Sequence, residues 1–400
     1  MITVPEAERT ILESIEKCSA ARVPLADAQG HILRQPIDAD RDLPPFDRVT
    51  MDGIAVAADT SRSVRTYRIE AIQPAGAEPL ALVQPGGGCI QVMTGAVLPK
   101  GCDSVIPVEE ISIDGESATV SANLKLTMGQ FVHRQGSDEE MGATLLHSGC
   151  VLTSPRIALA ATTGIAEILV TPFPKVAVVS NGDELVDIGT PVLPHQIRPS
   201  NNYGMLAALK RRGFRNVTNA HLPDDPGIIE NGLRQLLESH DAVVLSGGVS
   251  AGDRDFIPRA LANLGVKSLF HKVSQRPGKP MWYGTAETGQ PVFALPGNPI
   301  STLACFHRFV LPALNYMMAA NPPDPIYAQM GEAESFDLPL TYFRPVRETS
   351  GKDGILRVVP ARYQGSGDLA VLAKSDGFVE LAQDINAFPE GTVVPYTRWG

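Results

Sequence analysis

The spacing of apolar positions changes along the chain, and each change marks a different kind of element. From residue 4 to 18, Ile11, Leu12 and Ile15 share one face of a helical period. Glu6, Glu8, Glu13, Glu16 and Lys17 lie elsewhere, so an amphipathic helix opened by Thr3 and Pro5 is expected. Between 40 and 137 the apolar runs become short and β-rich: Thr66-Tyr67-Arg68-Ile69, Cys89-Ile90-Gln91-Val92-Met93 and Ala118-Thr119-Val120. Turn clusters such as Gly86-Gly87-Gly88 separate them, which predicts an all-β insertion. Residues 155–169 return to a helical pattern through Ile157, Leu159, Ala160 and Ala161.

The clearest pattern follows. Lys175-Val176-Ala177-Val178-Val179-Ser180 and Asp241-Ala242-Val243-Val244-Leu245-Ser246 are near-continuous apolar strands, the signature of strands buried on both faces. Helices are expected near 201–212, after Asp225-Pro226, at 255–264 and through 300–319; further strands are expected near 216–221, 266–273 and 291–295. Strands alternating with helices imply a parallel sheet covered on both sides. Asn321-Pro322-Pro323-Asp324-Pro325 reads as a linker. Beyond it, Arg344-Pro345-Val346-Arg347, Ile355-Leu356-Arg357-Val358-Val359 and Gly377-Phe378-Val379-Glu380-Leu381 predict a small β-barrel or sandwich.

A chain of 400 residues with 44% hydrophobic and 20% charged positions has material for several cores. Its 33 prolines argue against a helical bundle. A formal net charge of -10 disfavours nucleic acid and anionic membranes, which want a basic footprint, but leaves room for small anions in a locally cationic pocket. Cys18, Cys89, Cys102, Cys150 and Cys305 are odd in number and widely spaced, without C-x-x-C. That pattern fits a reducing compartment rather than a disulfide framework or structural zinc. With neither a signal-like N-terminus nor an apolar run long enough to span a bilayer, a cytoplasmic location is expected.

In an open α/β sheet, ligands bind outside the carboxyl ends of the strands. Here those ends run into Ser180-Asn181-Gly182-Asp183-Glu184-Leu185, Ser246-Gly247-Gly248-Val249-Ser250-Ala251-Gly252-Asp253 and Leu295-Pro296-Gly297-Asn298-Pro299-Ile300-Ser301. Each alone reads as an ordinary turn. Three on one sheet edge, with backbone N–H groups and helix starts aimed outward, point to an anion pocket. Arg276-Pro277-Gly278-Lys279-Pro280 can supply cations beside them; standing alone it would be a solvated basic turn. The first half adds Pro44-Pro45-Phe46-Asp47-Arg48-Val49-Thr50-Met51-Asp52-Gly53, Val92-Met93-Thr94-Gly95-Ala96, Gly101-Cys102-Asp103-Ser104-Val105 and Phe131-Val132-His133-Arg134-Gln135-Gly136-Ser137-Asp138. In isolation these are tight turns and strand ends.

Taken together, these ordered blocks from Pro44 to Pro299 resemble the MoeA family of molybdopterin molybdotransferases. The resemblance implies an α/β and β multidomain fold. A mixed N-terminal domain would comprise 1–40 and 138–172, and a β-rich insertion domain 41–137. A MogA-like parallel α/β domain would span 173–320, and a small C-terminal β-barrel 321–400. It implies insertion of molybdate into adenylylated molybdopterin with release of AMP. It also implies a homodimer whose site combines the α/β domain of one subunit with the first domains of the other. Asp52, Thr94 and Asp138 would enter from the partner, while Glu184, Asp224 and Asp255 would line the α/β side. Asp183, Ser246, Gly247, Gly248 and Ser250 would contact pterin and phosphate; Arg276 and Lys279 would hold phosphate or molybdate oxygens. Pro296, Gly297, Asn298 and Pro299 would shape the wall, with Arg344 near the cleft. An adenylyltransferase that supplies the substrate and molybdoenzymes that accept the product are the implied macromolecular partners.

Both substrates are anions, yet many of these residues are carboxylates, which repel anions unless a cation intervenes. A Mg2+ bound by one or two carboxylates and substrate oxygens resolves the conflict, with Asp52 and Glu184 as metal ligands or water-activating groups. The chain departs from the family pattern at Val49-Thr50, Ile54, Asn181 and Arg276. Arg276 keeps the charge of the usual lysine but changes its geometry. Two alternatives follow. A molybdopterin adenylyltransferase would need only a domain like 173–318, against which the N-terminal Asp52, Thr94 and Asp138 speak. A catalytically inactive pterin-binding scaffold would bind ligand without releasing AMP.

Overall fold

The computed structural model describes residues 1–61, 64–249, 256–362 and 364–400. It divides into two units: residues 1–35, 148–154 and 167–400 form one, and residues 36–147 and 155–166 the other.

The first unit is built around a six-stranded sheet. Its strands are β1 (Val176–Asn181), β2 (Val217–Leu222), β3 (Ala242–Ser246), β4 (Lys267–His271), β5 (Trp282–Thr285) and β6 (Pro291–Leu295). Their order is β2-β1-β3-β6-β5-β4. Pairing is parallel among β2, β1, β3 and β6 but antiparallel for β6–β5 and β5–β4, so the expected parallel sheet ends in an antiparallel edge. The reason is connection length. A parallel return needs a crossover of about a dozen residues or more, usually helical. The links from His271 to Trp282 and from Thr285 to Pro291 are shorter than that.

Alternation along β1 explains its unbroken apolar run. Val176 and Val178 join one core with Met205, Leu209, Phe293 and Phe306; Ala177 and Val179 join another with Ile229, Leu233, Ile257 and Leu261. The helices α1 (Ser200–Arg211) and α4 (Pro299–Cys305) therefore cover one face, and α2 (Pro226–Ser239) and α3 (Phe256–Asn263) the other. The N-terminal helix, Val4–Ser14, carries a capping box between Thr3 and Glu6 and adds Val4, Ala7 and Ile11 to the first core.

Two helical expectations are modified. The run through 300–319 continues from α4 into a widened π turn, Phe306–Val310, and then Leu311–Met317. The turn precedes Pro312, which has no N–H to give to a regular ladder. The helix expected over 155–169 spans only Ser154–Thr162. Gly164, at φ 75, ends it, and β-branched Ile168, Val170 and Thr171 lie in a strand, Glu167–Thr171.

The same unit ends in a closed five-stranded barrel. Strands Tyr327–Met330, Thr341–Ser350, Leu356–Pro360, Gly377–Leu381 and Val393–Arg398 pair in a ring around Met330, Val346, Val358, Val379 and Leu381. Closure removes the exposed edges that a short sheet would otherwise present. The fragment Gln275–Arg276 pairs with Thr341 and Tyr342, which ties the basic turn to the barrel.

The second unit contains a six-stranded sheet with strands Gly53–Val56, Thr66–Gln73, Gly88–Val92, Ser104–Pro107, Ile111–Asp114 and Ser117–Val120. One face buries Val49, Ala55, Ile90 and Val105; the other buries Ile54, Val56, Tyr67 and Ile106.

Candidate functional site

The carboxyl edge of the parallel strands carries a pocket of about 370 Å3. Asn181, Gly182 and Glu184 come from the loop after β1, Gly247 and Gly248 from the loop after β3, and Pro296, Gly297 and Asn298 from the loop after β6. Asp224 and Pro280 complete much of the wall. Glycine is required here by conformation. Gly247 and Gly248 have φ of 100 and 70, and a Cβ on Gly247 would stand 2.8 Å from the Asn181 carbonyl oxygen. Gly182, at φ 139, lets the Glu184 carboxylate fold back over the turn; a Cβ there would lie 2.5 Å from Glu184 Oε2.

Asp183 and Asp224 brace one another. The Asp224 N–H donates to Asp183 Oδ1 at 2.9 Å, and the Asp183 N–H to Asp224 Oδ2 at 3.4 Å. Asp183 is not on the pocket wall; it holds the Asp224 loop in place. Ser246 and Pro299 line an adjoining cavity of about 570 Å3 that also includes Asn181, Glu184 and Gly297. Thr302 donates its hydroxyl to the Pro296 carbonyl at 2.5 Å, which secures the loop entering α4.

Arg276 and Lys279 line a second cavity of about 350 Å3 that shares Pro280, Pro296 and Asn298 with the first. The turn carrying them is braced from beneath. Buried Gln275 donates to the Gly278 carbonyl at 3.1 Å and to Cys305 Sγ at 3.2 Å, and Gly278 has φ 96 with no room for a Cβ beside Cys305. The exposed guanidinium and ammonium are thus presented on a fixed support. Arg344 lies elsewhere: its Nε donates to Glu334 at 2.7 Å and its Nη1 to the Ala361 carbonyl at 2.8 Å, a role in holding the barrel. Ser250 and Asp255 fall outside the described residues.

Sequence reasoning missed Asn201. Its Nδ2 donates to Ser246 Oγ at 2.9 Å and to the Gly297 carbonyl at 2.7 Å, so one side chain clasps two of the three loops. The only signal was an amide pair, Asn201-Asn202, at a helix start without a side-chain cap. Asn181, noted only as a departure, is buried and donates to the Leu222 carbonyl at 3.0 Å.

In the second unit, three distant motifs meet. Arg48–Val49 pairs with Val132–His133, and the Gly95 N–H donates to the Val49 carbonyl at 2.8 Å. Asp52 Oδ1 accepts from the Thr94 N–H at 2.6 Å and from its hydroxyl at 2.7 Å. The Thr94 N–H first, and its hydroxyl second, hold the Asp52 carboxyl below the usual carboxylate range. Gly53 follows because a Cβ there would run into the Ile106 carbonyl. Asp138 Oδ1 lies 2.8 Å from His133 Nε2, and His133 Nδ1 lies 3.0 Å from Arg48 Nη2. A guanidinium can only donate, so Nδ1 accepts and Nε2–H donates to Asp138. Arg48 and His133 therefore orient Asp138, a relay invisible in the sequence because each partner there reads as part of a strand end.

A doubly covered sheet with a glycine-walled pocket at its carboxyl edge, joined to a β-barrel, defines a multidomain α/β protein of the class that takes ligands at that edge. Comparisons narrow this class. Residues 2–164 match the MoeA N-terminal region (domains I and II), 177–316 a probable molybdopterin binding domain, and 327–399 the MoeA C-terminal region (domain IV). The chain is 35% identical to a molybdopterin molybdenumtransferase of Synechocystis over 100% of both chains. It is 32% identical to molybdopterin molybdenumtransferase 2 of Mycobacterium tuberculosis over 98% of each. The crystal structure of a molybdopterin biosynthesis MoeA protein from Pyrococcus horikoshii superposes with a TM-score of 0.82 at 28% identity, covering 100% of both chains. The chain belongs to the MoeA family.

Proposed function

We propose that this chain is a molybdopterin molybdotransferase, a transferase of molybdenum cofactor biosynthesis that inserts molybdate into adenylylated molybdopterin and releases AMP. The observation that carries this reading is the carboxyl-edge pocket of a family member, where the glycine turn Gly247-Gly248, the carboxylates of Glu184 and Asp224, and the cations Arg276 and Lys279 line contiguous cavities; the Gly247 N–H is engaged by the Leu295 carbonyl at 3.0 Å, which holds the turn. Gly-rich turns receive phosphate oxygens through backbone N–H groups. Arg276 and Lys279 neutralise oxyanion charge, and the Asn201 clasp keeps the loop spacing fixed.

The donor set fits Mg2+. Glu184 and Asp224 offer hard carboxylate oxygens on one wall. Among the described residues no group of three or more His, Cys, Asp or Glu side chains forms a ready metal cage, which suits an ion that shares its shell with substrate oxygens. When bound, Mg2+ supplies positive charge where the departing phosphate gains negative charge. Asp52, its carboxyl lowered by Thr94, is assigned with Glu184 to metal binding or water activation. We assign Asp52, Thr94 and Asp138 to complete the pocket of a partner subunit in a homodimer, and Ser250 and Asp255 to the pterin side. Arg344 acts on the barrel, through Glu334 and the Ala361 carbonyl. The working location is the cytoplasm; among the described residues no helix is long and apolar enough to cross a membrane.

The test is AMP release from adenylylated molybdopterin with and without molybdate and Mg2+, comparing the wild type with Asp52→Ala and Glu184→Ala. Molybdate-dependent release lost in both variants is expected. Pterin binding without release at any oxyanion or metal concentration would leave only a scaffold.

A further inference from the structure

The opposite edge of the sheet holds a larger cavity, about 870 Å3, that the proposed reaction does not use. It lies wholly within the first unit. Its walls come from the turn Asp27–Ile32, from Pro172-Phe173 ahead of β1, and from the segment between α1 and β2. Three arginines, Arg211, Arg212 and Arg215, face one carboxylate, Asp27, in a chain whose overall charge is -10.

Cations at the C-terminal end of a helix ordinarily serve its dipole and its last carbonyls. Here the backbone already does much of that. The N–H groups of Arg212, Gly213 and Phe214 donate to the Leu209 and Lys210 carbonyls at 3.0 to 3.2 Å. Arg212 adds one long bond, 3.5 Å, to the Ala208 carbonyl, and Arg211 lies against Gly400. Arg215 stands beyond the helix altogether. Among the described residues, Arg212 and Arg215 make no ion pair. The aromatic wall is as deliberately placed. Phe173 packs against His31 at 4.7 Å and Phe214 at 5.1 Å between ring centroids. Gly213, at φ 93, admits the Phe173 ring; a Cβ there would stand 2.8 Å from it. His31 Nδ1 is buried without a hydrogen-bond partner, and burial outweighs the opposing backbone groups of Ala28 and Gln29 to hold the ring below the usual histidine range.

We propose that this cavity is a second ligand site, for a planar aromatic ring carrying phosphate, such as a mononucleotide. Arg212 and Arg215 bind the phosphate through charge-assisted, fork-shaped contacts. Phe173 and His31 receive the ring, and the unpartnered His31 nitrogen gains a polar partner from it. The volume suits a ligand of that size.

Equilibrium dialysis with AMP, ribose 5-phosphate and adenosine tests the site. The proteins are the wild type, Arg212→Ser/Arg215→Ser, Phe173→Leu, and Arg276→Ala/Lys279→Ala, which disarms the carboxyl-edge cations. AMP is expected to bind more tightly than either fragment. Loss of two charged contacts weakens it at least about tenfold in the Arg212/Arg215 variant. Phe173→Leu weakens AMP but not ribose 5-phosphate, and raised salt weakens both. AMP binding at this site survives in Arg276→Ala/Lys279→Ala. The proposal is overturned if the wild type binds no AMP at millimolar concentration, or if binding is unchanged in Arg212→Ser/Arg215→Ser. Loss of all AMP binding in Arg276→Ala/Lys279→Ala alone overturns it too. The two arginines are exposed, so their variant keeps the test valid even if Phe173→Leu folds poorly.

Discussion

Replacing Gly247 by alanine tests whether the pocket loop is held in a conformation that only glycine tolerates. Gly247 has φ 100, and a Cβ would stand 2.8 Å from the backbone oxygen of Asn181, the last residue of β1, which pairs with Leu222 of β2. The left-handed backbone alone costs an ordinary residue about 1–2 kcal/mol, and the unrelieved contact brings the expected loss to roughly 2–3 kcal/mol. Gly297 is the internal control, because it lines the same pocket without a positive φ, and its Cβ would meet nothing nearer than Gly247 Cα at 3.7 Å. In a thermal melt, Gly247→Ala is expected to fall by about 3–5 °C, while Gly297→Ala stays within about 1 °C of wild type. Phosphate binding should weaken in Gly247→Ala as the turn, held by the bond from the Gly247 N–H to the Leu295 carbonyl, is displaced together with Gly248. Equal melting of Gly247→Ala and wild type, or an equal fall in both variants, would refute the reasoning.

Mixing unfolded Asp52→Ala and Glu184→Ala chains and refolding them together should restore about one quarter of wild-type AMP release if a two-fold dimer shares its sites; no restoration would refute the shared site. Thr94→Val removes the hydroxyl but not the N–H that stabilises ionised Asp52, so its carboxyl should rise toward the ordinary value and the acid limb of the rate profile should move to higher pH; an unmoved limb would show that Asp52 does not govern it. Burial, and then the charge of Arg212, push His307 down to about 3. Its folded value therefore lies below the unfolded one, so stability present above about pH 6.5 is lost as pH falls toward 3, by up to about 1.4 kcal/mol per pH unit. His307→Leu, which keeps the contacts with Phe306 and Trp399 apolar, should flatten that slope in urea titrations from pH 7 to 4.

What the chain alone determined were features written in short stretches. The runs at Val176–Val179 and Ala242–Leu245 announce strands with both faces buried, because no polar alternation interrupts them. Glycines after those runs announce turns that need positive φ, because other residues pay for that backbone. Both signals are local, so the loops that line the carboxyl-edge pocket were legible from one sequence. Tertiary structure decided the rest. The antiparallel edge depended on how β4 and β5 return, and the strand at Glu167–Thr171 formed against Ala21–Pro24 rather than continuing a helix. The Asp52–Thr94 bond, the Arg48–His133–Asp138 relay and the Asn201 clasp join positions far apart in the chain. No residue in them is unusual where it stands. Their chemistry arises only when pairing across the sheet brings donor to acceptor, and that long-range step has no local signature.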